Sequence, residues 1–534
     1  MCITPASIDA KDKFDLTEKE KLIFDCLLQV VQHFNLPTQI RVAGGWVRDK
    51  LLGKECHDID IAVDDMSGVQ FCEKVNEYLQ SIGKKTHDIG VSLRNPDQSK
   101  HLETAVVKLF DVSVDVVNLR SEDYSENSRI PMMRFGSAEE DACRRDLTIN
   151  SLFYNINTSS VEDLTGRGIA DLKSGKIVTP LPPKQTFLDD PLRVLRAIRF
   201  GNGQLLFGLL IYEELKVAAA NIDVKAALEV KISRERIGKE INLMISGKQP
   251  VRAMTHILEL QLFWAVFSLP PEMRTPTWEG CGRSLLVYSF SHFHFKVAPY
   301  GCLRLSLYID FVSRLCVTYL DSAWRILHLV GCSSFNVPVV HYIILDSLKL
   351  KFSDAKTVVS LHVAAEKFVS LIPLIMSKDD LQFPEADWKR ETIDVPIASK
   401  IRILAGWVLR EIKEFWRAAL VISLLLYGND VGLSNKETEL KECGELFKRV
   451  ENAILEKAYP NFYSDEAGLD KVWELKPVVD GRGIMHVLQL NSGGPVVREW
   501  QDKVVEWQLA HPSGSTTECT EWMRQTLNKR TRTE

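Results

Sequence analysis

The sequence predicts an α+β protein in which a head with a mixed β-sheet precedes an all-helical remainder. Strand-like apolar segments lie in the first 180 residues, at Ile40–Ala43, His57–Val63 and Thr104–Leu119. Apolar residues at helical spacing dominate the chain beyond about residue 250. The prolines at 180, 182 and 183 mark the expected end of the head.

Length and composition set the first bounds. A chain of 534 residues is too long for one core and predicts three or four structural units. Its 45% hydrophobic and 26% charged residues are typical of a globular protein. The net charge of −5 argues against a basic nucleic-acid-binding coat, although it leaves room for a local basic groove.

Cysteine usage and apolar runs predict the compartment. The eleven cysteines include no C-x-x-C pair, so we expect neither a zinc site nor a disulfide framework, and a reducing environment fits best. The first fourteen residues lack the apolar core of a signal peptide. The most apolar runs, Val337–Leu345 and Ala418–Tyr427, are too short to span a bilayer, so we expect no membrane segment.

Two helices are predicted around the first strands. Residues 16–35 place apolar residues at helical spacing behind Thr17, a capping residue with Glu20 three positions later. Residues 67–82 form the second predicted helix. We expect the first of these helices to pack against the head.

A glycine turn follows the first strand. Gly44 and Gly45 remove side chains at a point where backbone N–H groups can approach a guest closely. A short helix, Trp46–Leu52, begins there and is stopped by Gly53. Its positive dipole end and the side chain of Arg48 are expected to face an anion, most simply a phosphate.

Two carboxylates lie on the next strand. Alternation along His57–Val63 places Asp58 and Asp60 on one face. They are about 6.5–7 Å apart along the strand. From there they can hold divalent ions roughly 3.5–4 Å apart, which is the arrangement of a two-metal site for phosphoryl transfer. An exposed strand edge beside a flexible glycine turn is the alternative for either half alone, and the combination with Arg48 favours the functional interpretation.

The glycine turn, the carboxylate strand and a later segment together resemble the motifs of polymerase-beta-type nucleotidyltransferases. Their sequences are GGWVRDKLLG (44–53), DID (58–60) and RRDLTIN (144–150). The resemblance is to the class that contains CCA-adding enzymes (tRNA nucleotidyltransferases) and bacterial poly(A) polymerases, and the tail favours plant and eukaryotic CCA-adding members. It implies a third acidic residue on a neighbouring strand, which we assign to Asp115, with Glu103 as the other candidate. Asp115 can alternatively be an ordinary residue of a half-buried strand.

The RRD motif and the preceding segment have implied roles. Arg145 can supply charge to a triphosphate and Asp146 can accept from ribose hydroxyls, although an isolated RRD can equally form a surface salt bridge. Residues 121–140 are expected to form a mobile loop, which in this family helps the change from CTP to ATP.

The segment DDPLRVLRAIR (189–199) matches the family's base-selecting motif. Asp190 would accept from the exocyclic amino group of C or A, and Arg193 would donate to the adjacent ring nitrogen, so that uracil and guanine are rejected. Arg196 and Arg199 lie deeper along the same helix, where they can meet phosphates. The alternative is a helix capped by Asp190 whose arginines form a solvated face.

The resemblance implies the whole-chain assignment. It implies a head at 1–180, a neck at 181–260 carrying the base-selecting helix, a helical body at 261–400 and a tRNA-binding tail at 401–534. Asp58 and Asp60, helped by Asp115, would hold Mg²⁺. The implied activity is template-independent addition of CCA to tRNA from CTP and ATP. No membrane or obligate protein partner is expected. Cytoplasm and nucleus are the expected locations, with mitochondrial or plastid forms from alternative starts.

Smaller elements complete the prediction. Lys231–Glu240 resembles a neck helix with Ser233 as its cap and Arg236 as a brace. Single helices are expected at Val251–Phe267 and Ile397–Tyr427. Trp500 and Trp507 are expected in a core.

Two segments depart from the family, GNGQLLFG at 201–208 and residues 283–340. The glycines of the first would weaken a helix, and His292 and His294 in the second are expected to be core or surface residues. The shared head leaves a bacterial-type poly(A) polymerase open as a rival function. The two departures leave open a tRNA-binding paralogue with impaired catalysis.

Overall fold

The computed structural model describes residues 10–11, 13–92, 104–123, 132–201, 210–211, 213–247, 249–268, 339–376, 393–427, 445–452, 454 and 469–530. The chain forms two compact units. The N-terminal unit is Met1–Met273 with Asp346–Leu350, and the C-terminal unit is Arg274–Leu345 with Lys351–Glu534. The four-part division into head, neck, body and tail stays a prediction.

A seven-stranded sheet forms the centre of the N-terminal unit. Its strands are β1 (Ile40–Ala43), β2 (Ile59–Val63), β3 (Gly90–Ser92), β4 (Thr104–Leu109), β5 (Val112–Asn118), β8 (Phe153–Asn155) and β9 (Ser160–Glu162). Their order is β3-β4-β5-β2-β1-β8-β9. The pair β2–β5 is parallel and the other neighbours are antiparallel, so the predicted mixed sheet is confirmed.

The helices beside the sheet are α1 (Glu18–His33), α2 (Gly45–Leu51) and α3 (Gly68–Ser81). The capping box predicted at Thr17 and Glu20 is confirmed. Glu20 also fixes α1 to the head, because its buried carboxylate accepts from Lys50 Nζ at 2.7 Å and from Trp46 Nε1 at 3.2 Å. A ring cluster of Phe14, Phe24, Trp46 and Tyr154 fills the space between α1 and the sheet.

The loop predicted at 121–140 is wrong for the described part of that segment. Strands β6 (Arg120–Asp123) and β7 (Met132–Phe135) form an antiparallel pair, and α4 (Ala138–Cys143) follows behind a capping box at Ser137. Strand β6 (RSED) is polar and β7 (MMRF) is only four residues long, so neither shows the alternation that marks a half-buried strand. A 3-10 turn at Thr148–Asn150 precedes β8.

Short helices build the rest of the N-terminal unit. They are α5 (Gly168–Ser174), α6 (Pro183–Asp189), α7 (Leu192–Arg199), α8 (Glu213–Ala219), α9 (Ile222–Lys231), α10 (Arg234–Ile245), α11 (Pro250–Glu259) and α12 (Phe263–Val266). The strands β10 (Lys176–Ile177) and β11 (Leu210–Ile211) form a small parallel pair.

Two expectations about these helices need correction. The single helix predicted at 251–267 is divided between α11 and α12, where Gln261 has a φ of 56°. Ser233 occupies the N-cap position of α10, but its side chain makes no capping hydrogen bond.

The described part of the C-terminal unit is helical. Its elements are α13 (Val339–Tyr342), a π-helical turn (Ile343–Ser347, which ends in the N-terminal unit), α14 (Phe352–Met376), α15 (Ile397–Ile412), α16 (Trp416–Tyr427), a helical stretch at 445–452, a 3-10 turn (Leu469–Glu474), α17 (Gly481–Leu488), α18 (Pro495–Ala510) and α19 (Thr516–Arg530). The single helix predicted at 397–427 is wrong, because Lys413 takes a φ of 54° and ends α15.

Two apolar clusters hold this unit together. The larger joins α14, α15 and α16 around residues such as Phe368, Val408 and Trp416. The smaller surrounds Trp500 and Trp507, which are 3% and 4% exposed. The prediction that these tryptophans are core residues is confirmed. The departures at 202–208 and 283–338, with His292 and His294, lie outside the described residues.

One helix of the described chain is long and apolar enough to cross a membrane by length and composition, the stretch Phe352–Leu374. The run-length estimate from sequence missed it. Half of its apolar window is buried inside the protein, where Leu361, Ala365 and Phe368 contribute to the larger cluster. A core helix meets the same criterion, and this helix packs as one.

Candidate active site

Two adjacent parallel strands bring carboxylates together. In the β2–β5 register Asp60 lies opposite Asp115, between the pairs Ile59–Val114 and Ile61–Val116. Paired residues on neighbouring strands project from the same face of a sheet. Asp58 lies immediately before β2 and is exposed. The other candidate for the third acid, Glu103, lies outside the described residues.

The charges of these carboxylates act on one another. The pKa of Asp60 is raised to about 6, because the surrounding protein desolvates its charged form although the residue reaches the surface, and because Asp58 and Asp115 repel that charge. Burial and Asp58 likewise raise the pKa of Asp115. Arg145 opposes the shift at Asp60. The three acids therefore share one region of negative charge that Arg145 compensates only in part, and a cation would relieve the remainder.

A divalent ion fits the chemistry of this set. Carboxylate oxygens are the ligands that Mg²⁺ prefers, and usually one or two of them suffice, with waters and substrate phosphates completing the shell. Within the part of the chain that the structure describes, no three His, Cys, Asp or Glu side chains are grouped closely enough to hold an ion by themselves. The arrangement fits an Mg²⁺ site in which Asp58 and Asp60 supply the protein ligands and the substrate phosphates and waters complete the coordination shell.

The glycine turn is fixed by backbone geometry. Gly44 has φ 72° and ψ −119°, and its N–H donates to Leu152 O at 2.9 Å. A Cβ there would lie 2.7 Å from Nη1 of Arg145 and 3.3 Å from Asn150 O. At Gly45 the nearest atom to an added Cβ is Nη2 of Arg48, at an ordinary 3.6 Å. Gly44 is therefore required by the turn, and Gly45 only leaves its surface uncovered.

Arg48 is buried rather than directed outward. Its guanidinium forms two 3.0 Å hydrogen bonds to Asp49, donates to Asn150 Oδ1, and lies 5.0 Å above the ring of Phe200. We expected Arg48 to face an anion directly, but its guanidinium is turned into the protein. Its charge lies behind the turn and within the protein.

Arg145 lies beside both the turn and the carboxylates. Two of its nitrogens donate to Asp141 Oδ2 at 3.0 and 2.8 Å, and Nη1 donates to Asn150 O at 3.4 Å. Asp141 is buried and also binds Arg144. The RRD motif is thus anchored on a buried acid four residues earlier, and it is not a surface salt bridge.

Asp146 is the best-satisfied acid of the site. Oδ1 accepts from Leu147 N at 2.9 Å and from Asn150 Nδ2 at 3.0 Å, and Oδ2 accepts from Arg196 Nε at 2.7 Å. Burial alone would raise its pKa, but Arg196 and these hydrogen bonds outweigh it and lower the pKa to about 2. Asn150 links Asp146 to Arg48 through one amide group.

The arginines of α7 are not a solvated face. Arg193 is buried and donates to Arg144 O at 2.6 Å and to Thr186 O at 3.5 Å. Arg199 is buried and donates to Glu240 of α10 at 2.6 Å. Carboxylates, not open space for phosphates, face Arg196 and Arg199.

Asp190 meets α10 as well. Arg236 donates to its two oxygens at 2.8 and 3.4 Å, and Leu192 N donates to Oδ1 at 3.2 Å. Asp190 therefore partly caps α7, which agrees with the capping role given above as the alternative to base selection. It is also bound by an arginine 46 residues away. The brace expected of Arg236 is confirmed.

Sequence reasoning assigned no site role to Asp141, Asn150 or Glu240. The i,i+4 spacing of Asp141 and Arg145 was a usable signal for the first of them. Asn150 contacts Asp146 at the local i,i+4 spacing. Its other partner Arg48, and the partner Arg199 of Glu240, lie on distant elements, and local spacing contains no information about those two contacts.

The fold and the paired carboxylates define the class of the protein. Residues 40–178 match the family described as the Poly A polymerase head domain, so this is a nucleotidyltransferase head on a helical scaffold. A structure of the Thermotoga maritima CCA-adding enzyme complexed with tRNA covers 96% of both chains with a TM-score of 0.54. At 18% identity it supports the fold alone.

The particular family follows from full-length similarity. The mitochondrial CCA tRNA nucleotidyltransferase of Saccharomyces cerevisiae is 34% identical over 97% of this chain and 94% of its own length. That of Candida glabrata is 33% identical over 96% and 97%. The chain belongs to the CCA tRNA nucleotidyltransferase family, of the eukaryotic type that the sequence motifs indicated.

Proposed function

We propose that this protein adds CCA to the 3′ end of tRNA, using CTP and ATP and releasing pyrophosphate. The observation that carries the proposal is similarity to CCA tRNA nucleotidyltransferases across nearly the whole of both chains. The 3′-hydroxyl of the tRNA attacks the α-phosphorus in line, the P–O bond to the β-phosphate breaks, and the hydroxyl proton is released.

Each group of residues has a proposed role. Asp58 and Asp60, with Asp115 beside them, hold Mg²⁺, which when bound supplies charge neutralisation at the reacting phosphates. Gly44, Gly45 and Arg145 hold the triphosphate, and the buried charge of Arg48 acts on it from behind the turn. The lone pair left on Asp146 accepts from the ribose.

Base selection is assigned to Asp190 and Arg193. Asp190 accepts from N4 of cytosine or N6 of adenine, and Arg193 donates to the neighbouring ring nitrogen. Arg196 and Arg199 support this pair, because their partners Asp146 and Glu240 fix α7 against the head and α10. The protein itself supplies the pairing edge, so no template is needed.

Transfer with defined substrates tests the proposal. Purified protein is incubated with Mg²⁺ and a tRNA transcript that ends before CCA, with CTP alone, ATP alone, or both. The expected product is two C and then one A, absent in Asp58→Ala/Asp60→Ala and retained in Asp25→Ala, an exposed carboxylate of α1. Long A tails would instead identify a poly(A) polymerase. Bound tRNA without transfer would identify a catalytically impaired tRNA-binding protein.

We further propose that forms of this protein serve the cytoplasm and nucleus and, from alternative starts, an organelle. The names of the two yeast relatives support a mitochondrial form. Imaging of tagged protein expressed from each start codon tests this, and exclusive residence in one compartment would contradict it.

A further inference from the structure

We propose that Arg236 holds Asp190 as a purely accepting group and thereby sets the selectivity of the site against uracil and guanine. This inference rests on the proposed function, because it assigns to Arg236 a positioning role behind the base-selecting pair. Arg236 belongs to α10, away from the segment that carries Asp190 and Arg193.

Arg236 binds both carboxylate oxygens of Asp190. Nη2 of Arg236 lies 2.8 Å from Oδ2 of Asp190, and Nη1 lies 3.4 Å from Oδ1. Leu192 N donates to Oδ1 at 3.2 Å. A carboxylate offers about four acceptor positions. Three are occupied, and the remaining one is on Oδ2, on a side chain that is 19% exposed. Arg236 thus leaves room for a single incoming N–H.

The protonation state of Asp190 decides whether its side chain accepts or donates a hydrogen bond. An ionised carboxylate only accepts hydrogen bonds, whereas a neutral carboxyl also donates one. An accepting Asp190 pairs with the amino group of cytosine or adenine. A donating Asp190 pairs with O4 of uracil or O6 of guanine. Base choice at this position therefore depends on the charge of one side chain.

Charged side chains from three helices face Asp190. Arg193 and Arg196 lie on α7, Arg236 lies on α10, and Asp189 ends α6. Burial favours the neutral form of Asp190, and the largest opposing influence is the charge of Arg236, so that the pKa lies below its ordinary value. Removal of Arg236 leaves the burial in place with weaker compensation, which favours the donating form as pH falls.

The test compares kcat/KM for UTP and for CTP, as a ratio, between pH 5.5 and 8.5 on a tRNA transcript lacking CCA. Wild type is expected to give a low ratio at every pH. In Arg236→Met the ratio should rise as pH falls, by about tenfold at the acid end, the effect of one reversed buried hydrogen bond. The loss is partial, because Arg193 still opposes the ring N–H of uracil.

Matched variants make the result specific. Arg236→Lys keeps the charge and should restore the low ratio, while Lys239→Met removes an exposed charge of the same helix and should leave it unchanged. If Arg236→Met does not fold, Arg236→Gln replaces it in the same test.

A ratio in Arg236→Met equal to that of wild type at every pH would overturn the inference. So would a pH-independent rise shared with Lys239→Met. Absence of CTP and ATP incorporation by wild type would instead refute the proposed function itself.

Discussion

Replacing Gly44 by alanine tests the turn at the centre of the site. Its φ of 72° and ψ of −119° lie where only glycine is comfortable, and holding another residue there costs about 1–3 kcal/mol. The new Cβ would also approach Nη1 of Arg145 to 2.7 Å. Since that guanidinium ends a flexible side chain, it can shift, but it then loses its contact with Asn150 O. We expect destabilisation by at least the backbone cost.

The neighbouring glycine provides a matched control. At Gly45 an added Cβ has 3.6 Å to its nearest neighbour, and the residue is the first of α2. Alanine there should leave stability unchanged or raise it by less than about 1 kcal/mol. Because Gly45 is proposed to face the triphosphate, the same substitution should still raise KM for the nucleotide.

Hydrogen exchange in urea separates these effects from unfolding of the C-terminal unit. Peptides covering β1 and α2 report the free energy of opening of the head. The reasoning is refuted if Gly44→Ala protects these amides as well as wild type does. It is equally refuted if Gly45→Ala exposes them as strongly as Gly44→Ala.

Three further predictions concern single side chains. Asp60→Asn should raise the urea midpoint of the metal-free protein above pH 6 and have no effect below pH 3.8. Folding raises the pKa of Asp60 from 3.8 to about 6, so the ionised carboxylate destabilises the folded state increasingly as pH rises through that range, and fully above it. An equal effect at pH 3 would contradict this. Arg196→Met should cost roughly 2–3 kcal/mol at pH 7, less than a fully buried pair because Arg196 is 34% exposed. That cost should shrink as pH falls from 3.8 towards 2, where Asp146 loses its charge; a constant cost would refute it. Trp500→Ala should cost about 3–5 kcal/mol by chemical denaturation of the C-terminal unit, with Trp500→Phe much milder; a neutral Trp500→Ala would place the ring outside the core.

Much of the head was predictable because its signals are local. The capping box at Thr17, the strand alternation at Asp60 and the glycine at 44 each depend on residues within a few positions. The same alternation restricts the register of the sheet, because a slip by one residue would place Asp60 and Asp115 on opposite faces.

Other features could not be read from the sequence. The helix ends at Gln261 and Lys413 occur at non-glycine residues with positive φ, for which side-chain patterning gives no signal. Strand β6 is polar and β7 is a four-residue segment with no polar alternation, so pairing with each other, not a half-buried pattern, makes them strands. The partners of Asp190 and Arg196 come from 46 and 50 residues away, so that only the folded chain identifies them.

The arrangement of α7 explains how a chain with a net charge of −5 builds a site for anionic substrates. Its arginines are held by groups from separate elements, Asp146 before the sheet strand β8 and Glu240 on α10. The guanidinium groups of Arg48, Arg196 and Arg199 also surround the ring of Phe200 at 5.0, 5.6 and 4.3 Å. Buried ion pairs add little net stability, because desolvation offsets their attraction. They do fix the positions of the charges behind the turn, and charges fixed in advance need no reorganisation when charge develops at the reacting phosphate. A net charge of −5 is therefore compatible with a site for anionic substrates, because positive charge is concentrated behind that site.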